Sequence, residues 1–404
     1  MKLPPIDTVP SHSTYDVVII GGAMLGASVA WFLSDNPGFD GRVLVVERDP
    51  SYAQCSTAHT NSCMRQQFTH EINVRVSQFG AQFVRNFRAL TGGDERVPEI
   101  HFHPFGYMYL ADTVAAADRL RANQKMQASL GAGTKIMTAD EISKAYPFYD
   151  LDGIILGSHN LVDEGYFDGN TMFEWWRRLA RERGVEYVTN TVVGMARKGA
   201  RVESITLATG EVIACATVVN AAGPRAAQVA AMAQVTLPVE PRKRYTYVVD
   251  AAQPLDRDLP LTIDPTGVHI RTDGAYYMIG ATPDDDPAVA PDDFTEDFSL
   301  WENKVWPAVA TRIPQFEALR VVNSWVGHYA FNTVDQNAIV GPHPEVPNFL
   351  FANGFSGHGF QQSPAMGRGL AEWISHGAFR SLDLSPFAYE RLATGDVRAE
   401  GAII

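Results

Sequence analysis

Apolar residues in this chain gather into short unbroken runs separated by glycine turns and polar gaps. Val17 to Ile20 is one such run, suited to a strand buried on both faces. Gly21-Gly22-Ala23-Met24-Leu25-Gly26 follows as a turn, and Ala27 to Leu33 continue as an apolar helix. After a polar gap, Val43 to Val46 form a second buried strand that ends at Glu47. The pattern predicts strand, tight turn, helix, strand and acid, in that order.

Beyond this unit, a polar loop over 48–63 leads to a helix over 72–90, and FGYMYLA predicts a strand with aromatic edges. Residues 140–146 read as a short helix. Residues 170–184 read as a longer one, with basic residues in its last turn and a glycine cap. Three strands follow, the last ending in Asn220-Ala221-Ala222-Gly223 before a helix from Ala226. From 237 to 330 the chain turns to β-branched and aromatic runs, which predict a mainly antiparallel domain. It then returns to strand, glycine turn and helix in NFLFANGFSGHGFQQSPAMGRGLAEWI, with the helix expected to start at about Ser363. Three glycine turns that open helices, near 21, 223 and 354, thus flank an inserted β domain. The expected fold class is α/β (mixed α+β). A Rossmann-like nucleotide-binding domain over 15–95, 150–236 and 335–404 is interleaved with a substrate domain over 96–149 and 237–334. An extended arm over 1–14 precedes both.

Composition excludes several partners. The formal net charge of −13 argues against nucleic acid, whose phosphates require a basic surface. Three cysteines, Cys55, Cys63 and Cys215, lack metal-ligand spacing, so neither a metal site nor a disulfide framework is expected. No apolar run approaches the roughly 18 residues of a membrane helix, and the first residues lack the apolar core of a signal peptide. These features read as a cytoplasmic protein without a membrane span.

The opening unit carries the first chemistry. Gly21 permits the tight turn, Gly26 lets helix and sheet approach, and the free amides at the helix start can receive a pyrophosphate. Glu47, about 20 residues after the last glycine, can accept hydrogen bonds from a ribose diol and would repel a 2′-phosphate. Ala23 stands where the G-x-G-x-x-G fingerprint has its middle glycine. The reading is a dinucleotide site.

DVVIIGGAMLGAS with VVERD, CSTAHTNSCMRQQF, VVNAAGPRA and GFSGHGFQQSPAMGRGLAEWI together resemble the D-amino-acid oxidase/sarcosine oxidase superfamily of FAD-dependent amine oxidoreductases. VEPRKRYTYV and FNTVDQNAIVGPHPEV resemble its branch of FAD-dependent oxidoreductase-domain proteins, related to sarcosine and dimethylglycine dehydrogenases. That branch includes mitochondrial relatives linked to respiratory complex I assembly. The resemblance implies FAD held between the two domains. Gly21, Gly22, Ala23, Met24, Leu25 and Gly26 would cradle the pyrophosphate, with Glu47 and Arg48 at the adenosine. Ser56, Thr57, His59, Asn61, Ser62, Cys63 and Met64 would run past the phosphates and ring. Val193 would meet adenine through its backbone, and Ala222 and Gly223 would line the ribityl side. Gly354, Phe355, Gly357, His358, Gly359, Phe360 and Gln361 would face the pyrimidine end, where donors stabilise the reduced ring.

The resemblance is split at His59, which matches the histidine that carries covalent FAD in sarcosine and dimethylglycine dehydrogenases. The expectation is noncovalent FAD, with a link through His59 as the alternative. Met278 falls where monomeric sarcosine oxidases have an oxygen-activating lysine, and Gln361 where they have a lysine that contacts substrate. Tyr329 falls near the carboxylate-binding arginine of D-amino-acid and glycine oxidases, where its hydroxyl is a weaker anchor. Arg65, Arg244 and Arg271 are further anchor candidates. His328, Tyr329 and Phe331 would form an aromatic wall, with His103 and Tyr107 as lesser pocket residues.

The implied activity is oxidation of the C–N bond of a small amine, a secondary or N-alkyl amino acid, with His328, Tyr329 and Arg65 positioning the substrate. The electron acceptor would be oxygen, an electron-transfer flavoprotein or a quinone. The alternatives are a non-catalytic FAD-binding assembly factor and a D-amino-acid or glycine oxidase. An NAD-dependent dehydrogenase would share the N-terminal turn but leave GFSGHGF unexplained.

Overall fold

The computed structural model describes residues 5–397 and 399–402. Residues 1–4 of the expected arm lie outside the described residues, as do 398, 403 and 404 of the last segment.

The apolar runs build one large sheet. Its central strands Val212–Asn220, Thr14–Ile20, Val43–Glu47 and Glu186–Thr189 lie parallel, in that spatial order. Helix Met24–Asp35 connects the second and third of these, which gives the expected βαβ crossover. Val346–Asn353 adds in parallel to the upper end of Val212–Asn220, while Arg201–Leu207 pairs antiparallel with its lower end. The last strand before the C-terminal helix therefore sits beside the first glycine turn. Helices Met24–Asp35, Glu71–Arg85, Gly169–Glu182 and Gly359–His376 contribute to the core on one face, filled by Trp31, Phe83, Phe87 and Trp176. Edge-to-face and stacked ring pairs join these four residues. In the N-terminal arm, Asp7 bridges Val188 on the last parallel strand.

A second eight-stranded sheet runs Leu319–Asn332, Val239–Ala251, Tyr276–Ala281, His269–Asp273, Leu261–Ile263, Tyr107–Ala111, Leu156–Asn160 and Lys135–Thr138. All its pairings are antiparallel except that of Leu261–Ile263 with Tyr107–Ala111. The fold class is the expected one, α/β with an interleaved antiparallel sheet. Leu156–Asn160, within the span expected for the nucleotide domain, joins the second sheet, where five of its residues pair with Tyr107–Ala111.

Two helix limits also differ. The helix expected over 72–90 breaks at Asn86 into Glu71–Arg85 and Phe87–Leu90. The last long helix begins at Gly359, four residues before Ser363, and carries Pro364 inside it. Proline removes an amide from the ladder. The Ser363 hydroxyl compensates by donating to the Phe360 carbonyl at 2.8 Å.

Candidate functional site

A single elongated cavity runs between the two sheets, from the glycine turn at Gly21 to the strand His269–Asp273. Its nucleotide end is built first. Gly21 has φ +98°, and a side chain there would strike the Ala221 carbonyl on the neighbouring strand. A methyl at Gly26 would overlap the Gly21 carbonyl, so helix and turn approach as the fingerprint requires. Ala23 has φ −72° and ψ −163°, an ordinary extended conformation, so a methyl at the middle position introduces no backbone strain.

The amides of this turn are divided between protein and cavity. Gly22 donates to Glu47 Oε2 at 2.8 Å, and Met24 donates to Thr57 Oγ1 at 3.3 Å. Ala23 and Leu25 line the cavity at the helix N-terminus, and among the described residues their amides have no partner. That is the arrangement of an anion cradle. Glu47 also accepts from the Asp49 amide at 2.9 Å, and burial raises its carboxyl above the usual range despite both bonds. Glu47 lines the cavity, and each oxygen keeps acceptor capacity to which a ribose diol can donate. A dinucleotide fits these groups.

Most of the expected cofactor residues line this cavity: Gly21, Ala23 to Leu25, Glu47, Arg48, Ser56, Thr57, His59, Asn61, Cys63, Ala222, Gly223, Gly354, Phe355 and Gly357 to Gln361. Gly22, Gly26, Ser62 and Met64 lie behind the wall and support it; Ser62 Oγ donates to the Phe167 carbonyl at 2.6 Å. Val193 is 53% exposed, and beside it Asn190, Thr191 and Val192 line the cavity. The strand has a register irregularity between Val192 and Gly194, and alternation turns the Val193 side chain outward.

The opposite end collects the substrate-side candidates. Arg65 is only 3% exposed and lines the cavity. Its Nε donates to the Gln67 carbonyl at 3.2 Å, and Nη2 donates to His358 Nε2 at 2.9 Å and to the Ala402 carbonyl. Among the described residues it has no carboxylate in ion-pair contact. Burial and the Arg65 charge push His358 well below the ordinary histidine range, so it is a neutral acceptor at Nε2. Gln361 lines the cavity and accepts the Arg65 amide at Oε1, 2.7 Å away. The segment 399–402 meets this end through the Ala402 carbonyl, which accepts from Arg65. Glu400 is fully buried and accepts from the Thr69 and Ala402 amides and from Asn73.

Other candidates separate. Arg244 lines the cavity, stacks over Tyr329 at 4.5 Å and pairs through both terminal nitrogens with Asp286, so its charge is already met. Arg271 lies behind the wall, paired with Asp273 and donating to Asn61 O and Met278 Sδ. Met278 therefore does not reach the cavity; His269 and Ala281 do. His328 lines the cavity, but its Nε2 is bonded to the Asp293 carbonyl at 2.8 Å and its ring is stacked on Phe294. Phe331 lies beneath Arg242, and His103 pairs with Asp258 near the surface. Tyr107 does line the cavity. Burial raises the Cys63 thiol to about 11, so it is no thiolate nucleophile.

The sequence reading missed His269. Its ring fills the space above Gly280, accepts at Nε2 from Asn61 Nδ2 at 3.0 Å, and is lowered by burial to about 4. A glycine directly opposite a histidine on paired strands was the available signal. The reading also missed Glu164, a fully buried acid raised by burial to about 7.

Known proteins agree with this geometry. Residues 16–373 match the family described as FAD dependent oxidoreductase (DAO). The chain is 38% identical to FAD-dependent oxidoreductase domain-containing protein 1 of Bos taurus, over 96% of this chain and 87% of that protein. It is 25% identical to mitochondrial sarcosine dehydrogenase of Mus musculus, over 91% of this chain but 40% of that longer protein. The structure of L-proline dehydrogenase from P. horikoshii superposes with a TM-score of 0.82 at 25% identity, covering 98% of this chain and all of that one. Glycine oxidase from Geobacillus kaustophilus shares the fold, with a TM-score of 0.78, 22% identity, and 93% and 98% coverage of the two chains. The chain belongs to the DAO family of FAD dependent oxidoreductases, and FAD is the dinucleotide that its cavity is built to hold.

Proposed function

We propose that this protein oxidises the C–N bond of a small amine that bears a carboxylate, with secondary or N-alkyl amino acids as the favoured class. One observation carries the reading: Arg65 is a buried guanidinium on the cavity wall whose partners among the described residues are two carbonyls and a neutral imidazole. A buried cation without an anion is costly, and a substrate carboxylate would supply one. Arg244 and Arg271 already have carboxylate partners, which leaves Arg65 as the anchor.

When bound, FAD supplies the hydride acceptor. The protein's residues bind and orient. Arg65 fixes the carboxylate, while Tyr107 and Tyr329 bound the space beside it. His269 and His358 are held neutral and so do not repel an approaching cationic amine, although the reacting amine must be deprotonated. The helix starting at Gly359 has its N-terminus at the cavity wall, where its dipole would favour negative charge on bound FAD. No lysine lines the cavity among the described residues, which favours an electron-transfer flavoprotein or a quinone over oxygen as acceptor. His59 Nδ1 donates to the Cys55 carbonyl at 3.0 Å and its ring stacks on Phe294, an arrangement that favours noncovalent FAD.

Anaerobic addition of N-methyl amino acids to the purified holoprotein tests this reading. Bleaching of the flavin's visible band is expected with N-alkyl amino acids and not with the matching amines that lack a carboxylate. A second reading, a flavoprotein without turnover, draws on the Ala402 carbonyl, which already occupies Arg65 Nη2. Failure of every amine in the panel to bleach the flavin would favour it.

A further inference from the structure

Behind Arg65 lies an acid that the proposed reaction does not use. Glu164 is 0% exposed and makes no ion pair among the described residues. Its Oε1 accepts from the Gln66 amide at 2.7 Å and from Asn160 Nδ2 at 2.9 Å, and its Oε2 accepts from Gln67 Nε2 at 2.9 Å. The Gln67 side chain is held on its other edge as well, by Ser158 Oγ at 2.7 Å. The Gln67 backbone carbonyl, in turn, receives Arg65 Nε. Two of the three bonds to Glu164 thus fall on the two residues that follow Arg65, and the third ties them to the strand Leu156–Asn160.

We propose that Glu164 is a positioning residue for substrate: it grips the Arg65–Gln67 segment through Gln66 and Gln67 so that the Arg65 guanidinium faces the cavity and can receive a carboxylate. The inference rests on the reading of Arg65 as the anchor. Removing one partner of a buried charge-assisted network leaves groups unsatisfied and lets the segment relax. Burying an unpaired acid is unfavourable on its own, so retention of Glu164 here fits a demand for geometry better than a demand for stability.

The role separates from general support of the fold by what is lost. A positioning residue for a carboxylate should affect anionic ligands and leave neutral ligands of the same shape alone. Benzoate and benzamide, titrated into the holoprotein and followed by perturbation of the flavin spectrum, provide the pair. The variants are Glu164→Gln and Gln67→Met. The second keeps the backbone carbonyl that faces Arg65 and the Gln66 amide bond but removes the Gln67 side-chain bond to Glu164, and it decides the matter if Glu164→Gln fails to fold. In both, the preference for benzoate over benzamide should fall by roughly ten- to hundredfold, with FAD content and benzamide affinity unchanged.

An unchanged preference overturns the proposal, as does an equal weakening of both probes, which would mark Glu164 as a fold element only. Arg65→Gln is measured alongside. If it abolishes the preference while Gln67→Met and Glu164→Gln keep it, the anchor stands and the role of Glu164 falls. If the wild type shows no preference, or Arg65→Gln keeps one, the reading of Arg65 fails and the proposal fails with it.

Discussion

Arg65 Nη2 donates to His358 Nε2 across 2.9 Å, joining the polar loop after the first βαβ unit to the glycine turn near the other end of the chain. The bond fixes the histidine as acceptor at Nε2, hence neutral with its proton on Nδ1. It also leaves the guanidinium charge unmet by any carboxylate among the described residues. Replacing His358 with Asn shortens the acceptor and frees the guanidinium. The expected result is a rise of about tenfold in the apparent KM for a carboxylate-bearing amine, with a smaller change in kcat. Steady-state kinetics on the variant check this.

At the other end of the cavity, Glu47 accepts both the Gly22 and the Asp49 amides while facing the cavity. Glu47→Gln replaces an acceptor with a donor against one of those amides. FAD affinity should fall by roughly ten- to hundredfold, measured by fluorescence as the flavin is released on dilution.

Ala23 provides the contrasting case. Its backbone is extended and unstrained, so Ala23→Gly should change FAD affinity by less than about threefold. Gly26→Ala differs, because its methyl would overlap the Gly21 carbonyl. That variant should lose FAD, and its soluble yield and flavin absorbance report the loss.

Acid stability should depend on His269. Burial lowers it to about 4 from an ordinary value near 6.5, so the folded state resists its protonation while the unfolded chain accepts the proton. Its contribution is complete above pH 6.5 and declines as pH falls toward 4, by up to about 3 kcal/mol. Glu164, raised to about 7, acts in the opposite sense: its contribution is complete below pH 4.5 and is lost as pH rises through 7. His269→Asn should therefore have a shallower fall in Tm between pH 6.5 and 4.5 than the wild type, in thermal melts at matched ionic strength.

Both ends of the cofactor cleft were legible in the sequence because local chemistry writes them. The strand, the turn at Gly21 and the acid at Glu47 lie within one contiguous unit, and GFSGHGF is a second. What escaped was set by distance along the chain. Arg65 meets Ala402 across 337 positions, and Gln66 meets Glu164 across 98, and no periodicity records such pairs. The start of the last helix was set too late because Ser363 replaces the hydrogen bond that Pro364 removes, and the helix continues through the proline.

The most direct test of the account is anaerobic reduction of the holoprotein by a panel of N-methyl amino acids, run in parallel with the Arg65→Gln variant. The account predicts that at least one such substrate bleaches the wild-type flavin and that the variant needs far higher concentrations for the same rate. A flavin that no member of the panel reduces, or a variant as readily reduced as the wild type, would contradict it.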